Sequence, residues 1–191
     1  MRIISGTLKG RIITTSAPSG VRPTTDRARE TIFNILGNMI DFEGIRVLDL
    51  CAGTGALGLE ALSRGATYCC FVELSRKTSE LISKTIQNFG LDAESYDVVT
   101  TDSRSFAKRF SIETDQQYDL IFTDPPYKEK IVNLLFNLII ENGILAPDCI
   151  FVAEHDVRET VVVPENYERT TSRIFGETGI DFFVRKPSHS K

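Results

Sequence analysis

The sequence predicts an α/β fold: a doubly wound, mostly parallel sheet with a C-terminal antiparallel hairpin, preceded by a small N-terminal hairpin and helix. Two observations predict it. From residue 45 onward, short apolar runs alternate with helical patterns, which is typical of parallel strands joined by crossover helices. After residue 166, two strand-like runs are separated only by Gly176-Glu177-Thr178-Gly179, a spacing that predicts an antiparallel hairpin.

The N-terminal residues carry two predicted elements. Arg2-Ile3-Ile4 and Arg11-Ile12-Ile13 are short β-branched runs separated by a glycine-containing turn, which predicts a hairpin. A helix is expected to begin near Asp26, whose carboxylate suits the first turn. Thr24 or Thr25 can cap it.

This N-terminal helix has one predicted apolar face. Arg27 and Arg29 do not share its spacing, so we expect both to lie off the buried face. The apolar positions at helical spacing are Ala28, Ile32, Ile35, Leu36 and Met39.

The remaining elements follow in chain order. Strands are expected at 45–50, 67–73, 96–100, 118–123, 149–154, 167–175 and 180–185, and helices at about 56–64, 76–89, 103–110 and 129–142. We place a domain boundary between an N-terminal extension (1–40) and the main domain (41–191).

The charge is uneven along the chain. The 191 residues carry a net charge of −4, which taken alone argues against a nucleic-acid partner. Residues 1–30, however, carry +4 and the remainder −8. A basic N-terminal segment, residues 1–30, followed by an acidic remainder is compatible with a polyanionic partner that contacts only the basic segment.

The cysteine spacing and the short apolar runs argue against disulfide-bonded, metal-binding, membrane and secreted proteins. The four cysteines form no C-x-x-C pair, so we expect buried free thiols, no metal site and a reducing, cytoplasmic setting. The most apolar stretch, Ile131 to Ile140, is too short to span a bilayer. The N-terminus has no apolar region of a secretory signal. We therefore expect a protein without a membrane partner.

A glycine-rich loop follows the first core strand. Asp49 to Gly58 has the sequence D-L-C-A-G-T-G-A-L-G, and glycines let the backbone approach a ligand closely. Ligands in such sheets bind beyond the carboxyl ends of the strands. Glu73, which ends the second strand twenty residues after Gly53, can hold a ribose diol. Dinucleotide enzymes and S-adenosylmethionine enzymes both use this arrangement. Asp49 favours S-adenosylmethionine, because its carboxylate would repel the pyrophosphate of a dinucleotide.

The fourth strand ends in Asp124-Pro125-Pro126-Tyr127. The two prolines remove amide donors, which leaves the Asp124 carboxylate and the Pro125 carbonyl as acceptors. Tyr127 adds an aromatic face on which a base can stack. The set suits an unpaired or flipped base with an exocyclic amine. His155, after the fifth strand, is expected to be structural or solvent-facing.

These motifs carry a resemblance to a known family. The order of glycine loop, Glu73, Asp102 and D-P-P-Y resembles that of the class I S-adenosylmethionine-dependent methyltransferases, whose fold is Rossmann-like. R-I-I-S-G-x-x-x-G-R from Arg2, R-P-T-T-D-R-A-R-E-T-I-F-N-I-L from Arg22 and D-L-C-A-G-T-G-A-L-G-L-E-A-L-S-R-G-A from Asp49 resemble the bacterial RsmD family, small-subunit ribosomal RNA guanine-N2 methyltransferases. The resemblance covers essentially the whole chain.

The resemblance implies an activity and a partner. It implies S-adenosylmethionine as cofactor and methylation of the N2 amine of a guanine in 16S rRNA, guanine 966 in the family, within an assembled or partly assembled 30S particle. The N-terminal extension, 1–40, is then expected to bind RNA. We expect the enzyme to be a monomer.

The resemblance also implies site residues, which fall into three sets. The catalytic set is Asp124, Pro125, Pro126 and Tyr127. The cofactor set is Asp49, Cys51, Ala52, Gly53, Thr54, Gly55, Glu73, Asp102 and Ser103. The RNA-binding set is Arg2, Arg11, Arg22, Thr24, Asp26, Arg27 and Arg29. Cys51 departs from the family pattern, in which a bulkier aromatic residue is expected.

Three other functions stay open at the level of sequence. A DNA adenine-N6 methyltransferase would use the same D-P-P-Y chemistry, but the chain has no obvious room for a target-recognition region. A non-catalytic RNA-binding assembly factor is disfavoured by the intact Asp124 and glycine loop. A nicotinamide dehydrogenase would leave D-P-P-Y without a role.

Overall fold

A computed structural model describes residues 1–14, 26–112, 116–126 and 131–187 of the chain. The chain divides into two compact units, 1–103 and 104–191. The described residues of the expected extension belong to the same unit as the glycine loop. A separate RNA-binding role for residues 1–40 therefore stays a prediction.

The first unit holds a parallel three-stranded segment in which β2 (Tyr68–Glu73) lies between β1 (Arg46–Leu50) and β3 (Tyr96–Thr100). Leu48 of β1 pairs with Cys70 of β2, and Phe71 of β2 pairs with Val98 of β3. β1 and β2 are almost entirely buried, as expected of parallel strands covered on both faces. The elements are α1 (Asp26–Leu36), β1 (Arg46–Leu50), α2 (Ala56–Ser63), β2 (Tyr68–Glu73), α3 (Arg76–Phe89), a 3-10 turn (Ala93–Ser95), β3 (Tyr96–Thr100) and the start of α4 (Ser103–Arg109).

Residues 1–14, called the arm below, form a short hairpin. A single antiparallel bridge joins Arg2 to Ile12, and the Ile3 N–H donates to the Arg11 carbonyl at 3.0 Å. Ile3 and Ile13 are 2% and 1% exposed, so one face of the arm is part of the core. The predicted hairpin is confirmed in a shorter form, since one bridge replaces two full strands.

The second unit contains the C-terminal antiparallel hairpin. β4 (Tyr118–Thr123) and β5 (Leu145–Asp156) are parallel, while β7 (Thr178–Arg185) pairs antiparallel with both β5 and β6 (Tyr167–Phe175). The elements are β4 (Tyr118–Thr123), α5 (Val132–Glu141), β5 (Leu145–Asp156), β6 (Tyr167–Phe175) and β7 (Thr178–Arg185). Parallel strands alternating with helices, followed by an antiparallel hairpin, confirm the predicted fold class.

Aromatic packing holds α5 on two strands of this unit, and both strands begin earlier than predicted. The rings of Phe136 and Phe151 lie 4.4 Å apart, and Phe136 and Phe183 lie 5.0 Å apart, so α5 is held on β5 and β7. β5 begins at Leu145 rather than 149, and β7 begins at Thr178 rather than 180 because the turn needs only two residues. Sequence patterning underestimated both strands, since long-range pairing decides where they stop.

His155 lies on β5, opposite Gly179 of β7. Its Nε2 is 3.2 Å from Asp181 Oδ2, its Nδ1 is 2.8 Å from the Asp156 carbonyl, and Arg169 Nε is 3.1 Å from the same Asp181 oxygen. A Cβ on Gly179 would lie 2.6 Å from the imidazole, so only glycine leaves room for the ring. The prediction of a structural His155 is confirmed, and the side chain is buried rather than solvent-facing.

The described cysteines are free thiols, three of them buried, as predicted. Within the described ranges, no helix combines the length and apolarity required to cross a membrane.

We predict that His155 makes stability pH-dependent. Burial lowers the pKa of His155, but the hydrogen bond to Asp181 and the other acceptors outweigh burial and raise it above 6.5. The stabilisation is therefore complete below pH 6.5 and is lost as pH rises through the raised pKa. Urea unfolding of His155→Gln between about pH 6 and 8.5 should lack this loss, which the wild type shows.

His189→Gln is the matched control, because it removes the other histidine of the chain. A wild-type stability that does not fall over this range, or falls equally in His155→Gln, would contradict the prediction.

Candidate active site

The glycine loop connects β1 to α2. The Ala52 N–H donates to the Val72 carbonyl at 2.9 Å, which ties the loop to β2. Gly55 occupies the N-cap of α2 with φ 73°, a left-handed conformation that glycine adopts without a steric penalty. Cys51 has φ 65° and is the one non-glycine residue with a positive φ among those described. Backbone strain is thus concentrated at this loop.

Glu73 lies at the carboxyl end of β2, beside the loop. Its carboxylate accepts hydrogen bonds from the Gly53 N–H at 2.9 Å and the Ser75 N–H at 2.8 Å. The side chain is half-buried, so carboxylate lone pairs still face solvent. This is the expected place for an acid that holds the two hydroxyls of a ribose.

Asp49 lies beneath the loop rather than in it. The side chain is 2% exposed, and its Oδ2 accepts the Gly58 N–H at 3.0 Å. Burial raises the pKa of Asp49 to about 8, against the lowering by the Gly58 N–H and with a further rise from the charge of Glu73. This carboxyl fixes the first turn of α2, and a contact of Asp49 with the cofactor stays a prediction.

Gly58 serves close packing. A Cβ at this position would lie 2.4 Å from Phe71 Cε1 and 2.6 Å from Cys69 Sγ, both on β2. The third glycine of the motif therefore lets α2 lie directly on the sheet, while Gly53 leaves the loop backbone open. At Gly53 a Cβ would meet only the Cys51 carbonyl oxygen, at 3.9 Å.

The ends of three parallel strands bring the rest of the cofactor set together in the first unit. Cys51 Sγ lies 3.5 Å from Ser103 Oγ, which joins the loop after β1 to the start of α4. Asp102 precedes Ser103 and is half-buried. The loop 51–55 contains no Lys or Arg, so it offers no cation to a pyrophosphate. Its open backbone and neighbouring acids fit S-adenosylmethionine better than a dinucleotide.

The second unit positions the predicted catalytic segment at the carboxyl end of β4. Thr123 pairs with Ala153 of β5, and the next three residues leave the strand. Asp124 is half-buried, Pro125 is buried and Pro126 is exposed. Tyr127 lies outside the described residues. The described part keeps the acceptor chemistry that the sequence predicts, a carboxylate followed by carbonyls without competing amide donors.

The structure corrects the expected place of Arg29. Its side chain is fully buried, with Nε 3.9 Å from Glu60 Oε2 and Nη2 3.1 Å from Asp26 Oδ1, and it donates to the Arg2 carbonyl. Residue 29 shares a helix face with Ile32 and Phe33, three and four positions later, and a buried glutamate offsets its charge. The prediction that Arg29 lies off the buried face is wrong, so we do not retain it as an RNA contact.

The other predicted RNA contacts have different surroundings. Arg11 is exposed, but its guanidinium donates to the Phe89 carbonyl at 2.7 Å and lies 5.5 Å from the centroid of that ring, so it anchors the arm to the end of α3. Arg2, Asp26 and Arg27 are exposed. Arg22 and Thr24 lie outside the described residues.

Two residues of α2 hold the arm, and the sequence analysis did not single them out. Glu60 accepts the N–H groups of Ile4 and Ser5 at 2.7 and 3.0 Å, and Ser63 Oγ accepts that of Leu8 at 3.0 Å. The available signal was a glutamate inside the otherwise apolar or small-residue helix A-L-G-L-E-A-L-S. A charge in a buried helix needs partners, so it marks a specific contact.

Comparison with known proteins gives matches over nearly the whole chain. A family model described as "Conserved hypothetical protein 95" matches residues 1–184. YlbH of Bacillus subtilis is 38% identical over 189 residues, which is 97% of this chain and 100% of that protein. Ribosomal RNA small subunit methyltransferase D of Escherichia coli is 33% identical over 187 residues, 97% of this chain and 90% of that protein.

Comparison with solved structures gives proteins of the same fold. The structure of yhhF from Escherichia coli matches with a TM-score of 0.85 and 33% identity, covering 97% of this chain and 98% of that one. SMU.776, solved in complex with SAH, matches at a TM-score of 0.66 and 18% identity, covering 82% of this chain and 49% of that one. The second likeness concerns the fold alone.

We predict that Asp49→Asn stabilises the protein at neutral pH. A folded-state pKa near 8, against 3.8 for the ordinary group, means that the folded protein binds one more proton than the unfolded chain between these values. Stability therefore falls as pH rises through this window, and asparagine, which keeps an acceptor for the Gly58 N–H, removes that loss. Urea unfolding should show a gain at pH 7 above about 1.4 kcal/mol, the equivalent of one pKa unit.

The gain should vanish as pH approaches 4. Asp148→Asn, at an exposed aspartate, is the control and should show no such gain. A lower stability of Asp49→Asn at pH 7 than at pH 4, relative to wild type, would contradict the account.

Proposed function

The chain belongs to the ribosomal RNA small subunit methyltransferase D family, and we propose that it methylates the exocyclic N2 amine of a guanine in 16S rRNA with S-adenosylmethionine as the methyl donor. The proposed target is guanine 966, met in an assembled or partly assembled 30S particle. The observation that carries the proposal is the Asp124-Pro125-Pro126 segment at the carboxyl end of β4, in a chain that also has the glycine loop of this family.

The cofactor assignment is supported by the first unit. Glu73 presents a half-buried carboxylate beside the Gly53 N–H, which suits a ribose diol, and the loop has no cation for a phosphate. The SAH-bound neighbour SMU.776 has the same fold. When bound, S-adenosylmethionine supplies an electrophilic methyl group on a sulfonium.

The acceptors after β4 supply the chemistry at the amine. A guanine amine is a poor nucleophile because its lone pair is delocalised into the ring. Acceptance of its two N–H bonds by the Asp124 carboxylate and the Pro125 carbonyl favours a pyramidal nitrogen with a localised lone pair. In that position the lone pair would be free to accept the methyl group that the cofactor would supply.

Binding and orientation account for much of the proposed rate. The target base must be unpaired or flipped to expose its amine. Holding two reactants in line is worth about 7–11 kcal/mol in favourable cases, so little further chemistry is required of the protein. The exposed cations Arg2 and Arg27 of the first unit are available to the rRNA backbone.

A transfer assay tests the proposed function. Incubation with methyl-labelled S-adenosylmethionine and 30S particles from cells without the gene should label guanine N2. Asp124→Ala should lower the transfer rate by about 100-fold or more, since acceptors aimed at a reacting group have effects of that order. S-adenosylmethionine affinity, measured by calorimetry, should stay within about threefold of wild type, less than 1 kcal/mol.

Asp148→Ala, at an exposed aspartate in the same unit, is the control and should keep wild-type transfer. Labelled DNA in place of rRNA would favour the adenine-N6 alternative, and an absence of S-adenosylmethionine binding would favour the non-catalytic one. Either result overturns the proposal.

Arg27→Ala should weaken binding to the particle. Removal of one phosphate contact lowers affinity at all sites and reduces the slope of log affinity against log salt by about one. Filter binding at several salt concentrations measures both. Arg76→Ala, which removes an exposed arginine on α3, is the control, and an equal loss in both variants would contradict the assignment.

A further inference from the structure

Backbone N–H groups of the arm fix it to α2. Four of its N–H groups, those of residues 4, 5, 7 and 8, donate to only two residues of α2. Glu60 takes the first two, and Ser63 takes the others through its carbonyl, at 2.7 Å, and its hydroxyl, at 3.0 Å. Ser63 Oγ also donates to the Ser5 carbonyl. Glu60 and Ser63 are three positions apart and share a helix face.

The acceptor at the centre of this contact is a buried charge. The Glu60 side chain is 0% exposed, with Arg64 Nε at 2.9 Å and Arg29 Nε at 3.9 Å. Loss of one partner of such a group leaves an uncompensated charge in the interior, which is strongly unfavourable. The arm therefore docks in one defined position rather than as a loose basic tail.

The other end of the same helix carries the glycine loop. Gly55 is the N-cap of α2, and the Thr54 hydroxyl lies 3.7 Å from Met1 Sδ of the arm. The helix has eight residues, a length of about 12 Å at the rise of an α-helix. The arm thus contacts both the loop before α2 and the last turn of α2.

We infer that Glu60 and Ser63 are positioning residues for the substrate: they set the basic arm at a fixed distance from the cofactor loop, and they act on RNA recognition rather than on cofactor binding. The inference rests on the proposed function. Its basis is that two exposed cations of the arm, Arg2 and Lys9, lie on either side of residues 4–8, whose N–H groups donate to α2. Arg11 anchors the arm on α3 as well.

Two glycines of the arm offer a matched test. Gly6 and Gly10 both have φ 82°, so alanine costs a similar backbone strain at each. A Cβ on Gly6 would lie 1.7 Å from the Ser63 carbonyl oxygen, which docking forbids, whereas a Cβ on Gly10 would have no neighbour within 4 Å. Gly6→Ala therefore undocks the turn of the arm, and Gly10→Ala changes only the strain.

The experiment compares steady-state kinetics on 30S particles for the wild type and both variants, with S-adenosylmethionine affinity by calorimetry. Gly6→Ala should raise KM for the particle by about tenfold or more, a free-energy change of at least 1.4 kcal/mol, and leave cofactor affinity within about twofold. Gly10→Ala should leave KM for the particle within about twofold of wild type.

Ser63→Ala and Glu60→Gln extend the test if Gly6→Ala does not fold. Ser63→Ala removes the hydroxyl that holds Leu8 and Ser5, and it should raise KM for the particle without a matching loss of cofactor affinity. Glu80→Gln, at an exposed ion pair with Arg76, is the control for the change of charge in Glu60→Gln.

Each outcome decides the inference. An unchanged KM in Gly6→Ala or Ser63→Ala, with an active wild type, overturns it and leaves the proposed function intact. Equal losses of particle and cofactor binding show that Glu60 and Ser63 are merely structural, which also overturns it. A wild type that does not methylate the particle overturns both.

Discussion

The packing of the first unit depends on the contacts of one buried carboxylate, that of Glu60. It accepts two backbone N–H groups of the arm and faces Arg64 and Arg29, and all of these lie in the interior or at its border. A buried charge requires partners in fixed places, so α1, α2 and the arm can assemble in only one register. The aromatic rings of Phe33 and Phe42 complete this packing, with the Arg64 guanidinium 4.7 Å from the centroid of Phe33.

The same helix sets the cofactor loop, through a second buried carboxyl. Asp49 accepts the Gly58 N–H beneath α2, and Gly58 lets the helix lie on Phe71 and Cys69. Because burial raises the pKa of Asp49 to about 8, this contact is made by a group that is largely uncharged at pH 7. Glu73, half-buried beside the Gly53 N–H, is the acid at the loop that is suited to a ligand, whereas Asp49 supports the loop from below.

Periodicity predicted the alternating strands and helices well, because buried parallel strands and amphipathic helices have distinct apolar spacing. α3, β3 and β4 have the bounds that the sequence predicts. Periodicity could not predict contacts between charged side chains. It predicts Arg29 off the buried face, yet Glu60, 31 positions later, offsets the charge of Arg29 and allows its burial. Nor could periodicity predict that Arg11 donates to the Phe89 carbonyl of α3, and an RNA contact by Arg11 stays a prediction. Contacts between polar side chains that are distant in the sequence leave no local pattern from which they could be predicted.

Methylation of a guanine of small-subunit rRNA by this chain can be measured in cells. Mass spectrometry of nuclease fragments of 16S rRNA, from cells with and without the gene, locates the modified nucleotide. We expect that one N2-methylguanine, at position 966, is present with the gene, is absent without it, and returns with a plasmid copy of the wild type but not of Asp124→Ala. An identical set of methylated nucleotides in both rRNA samples would contradict it.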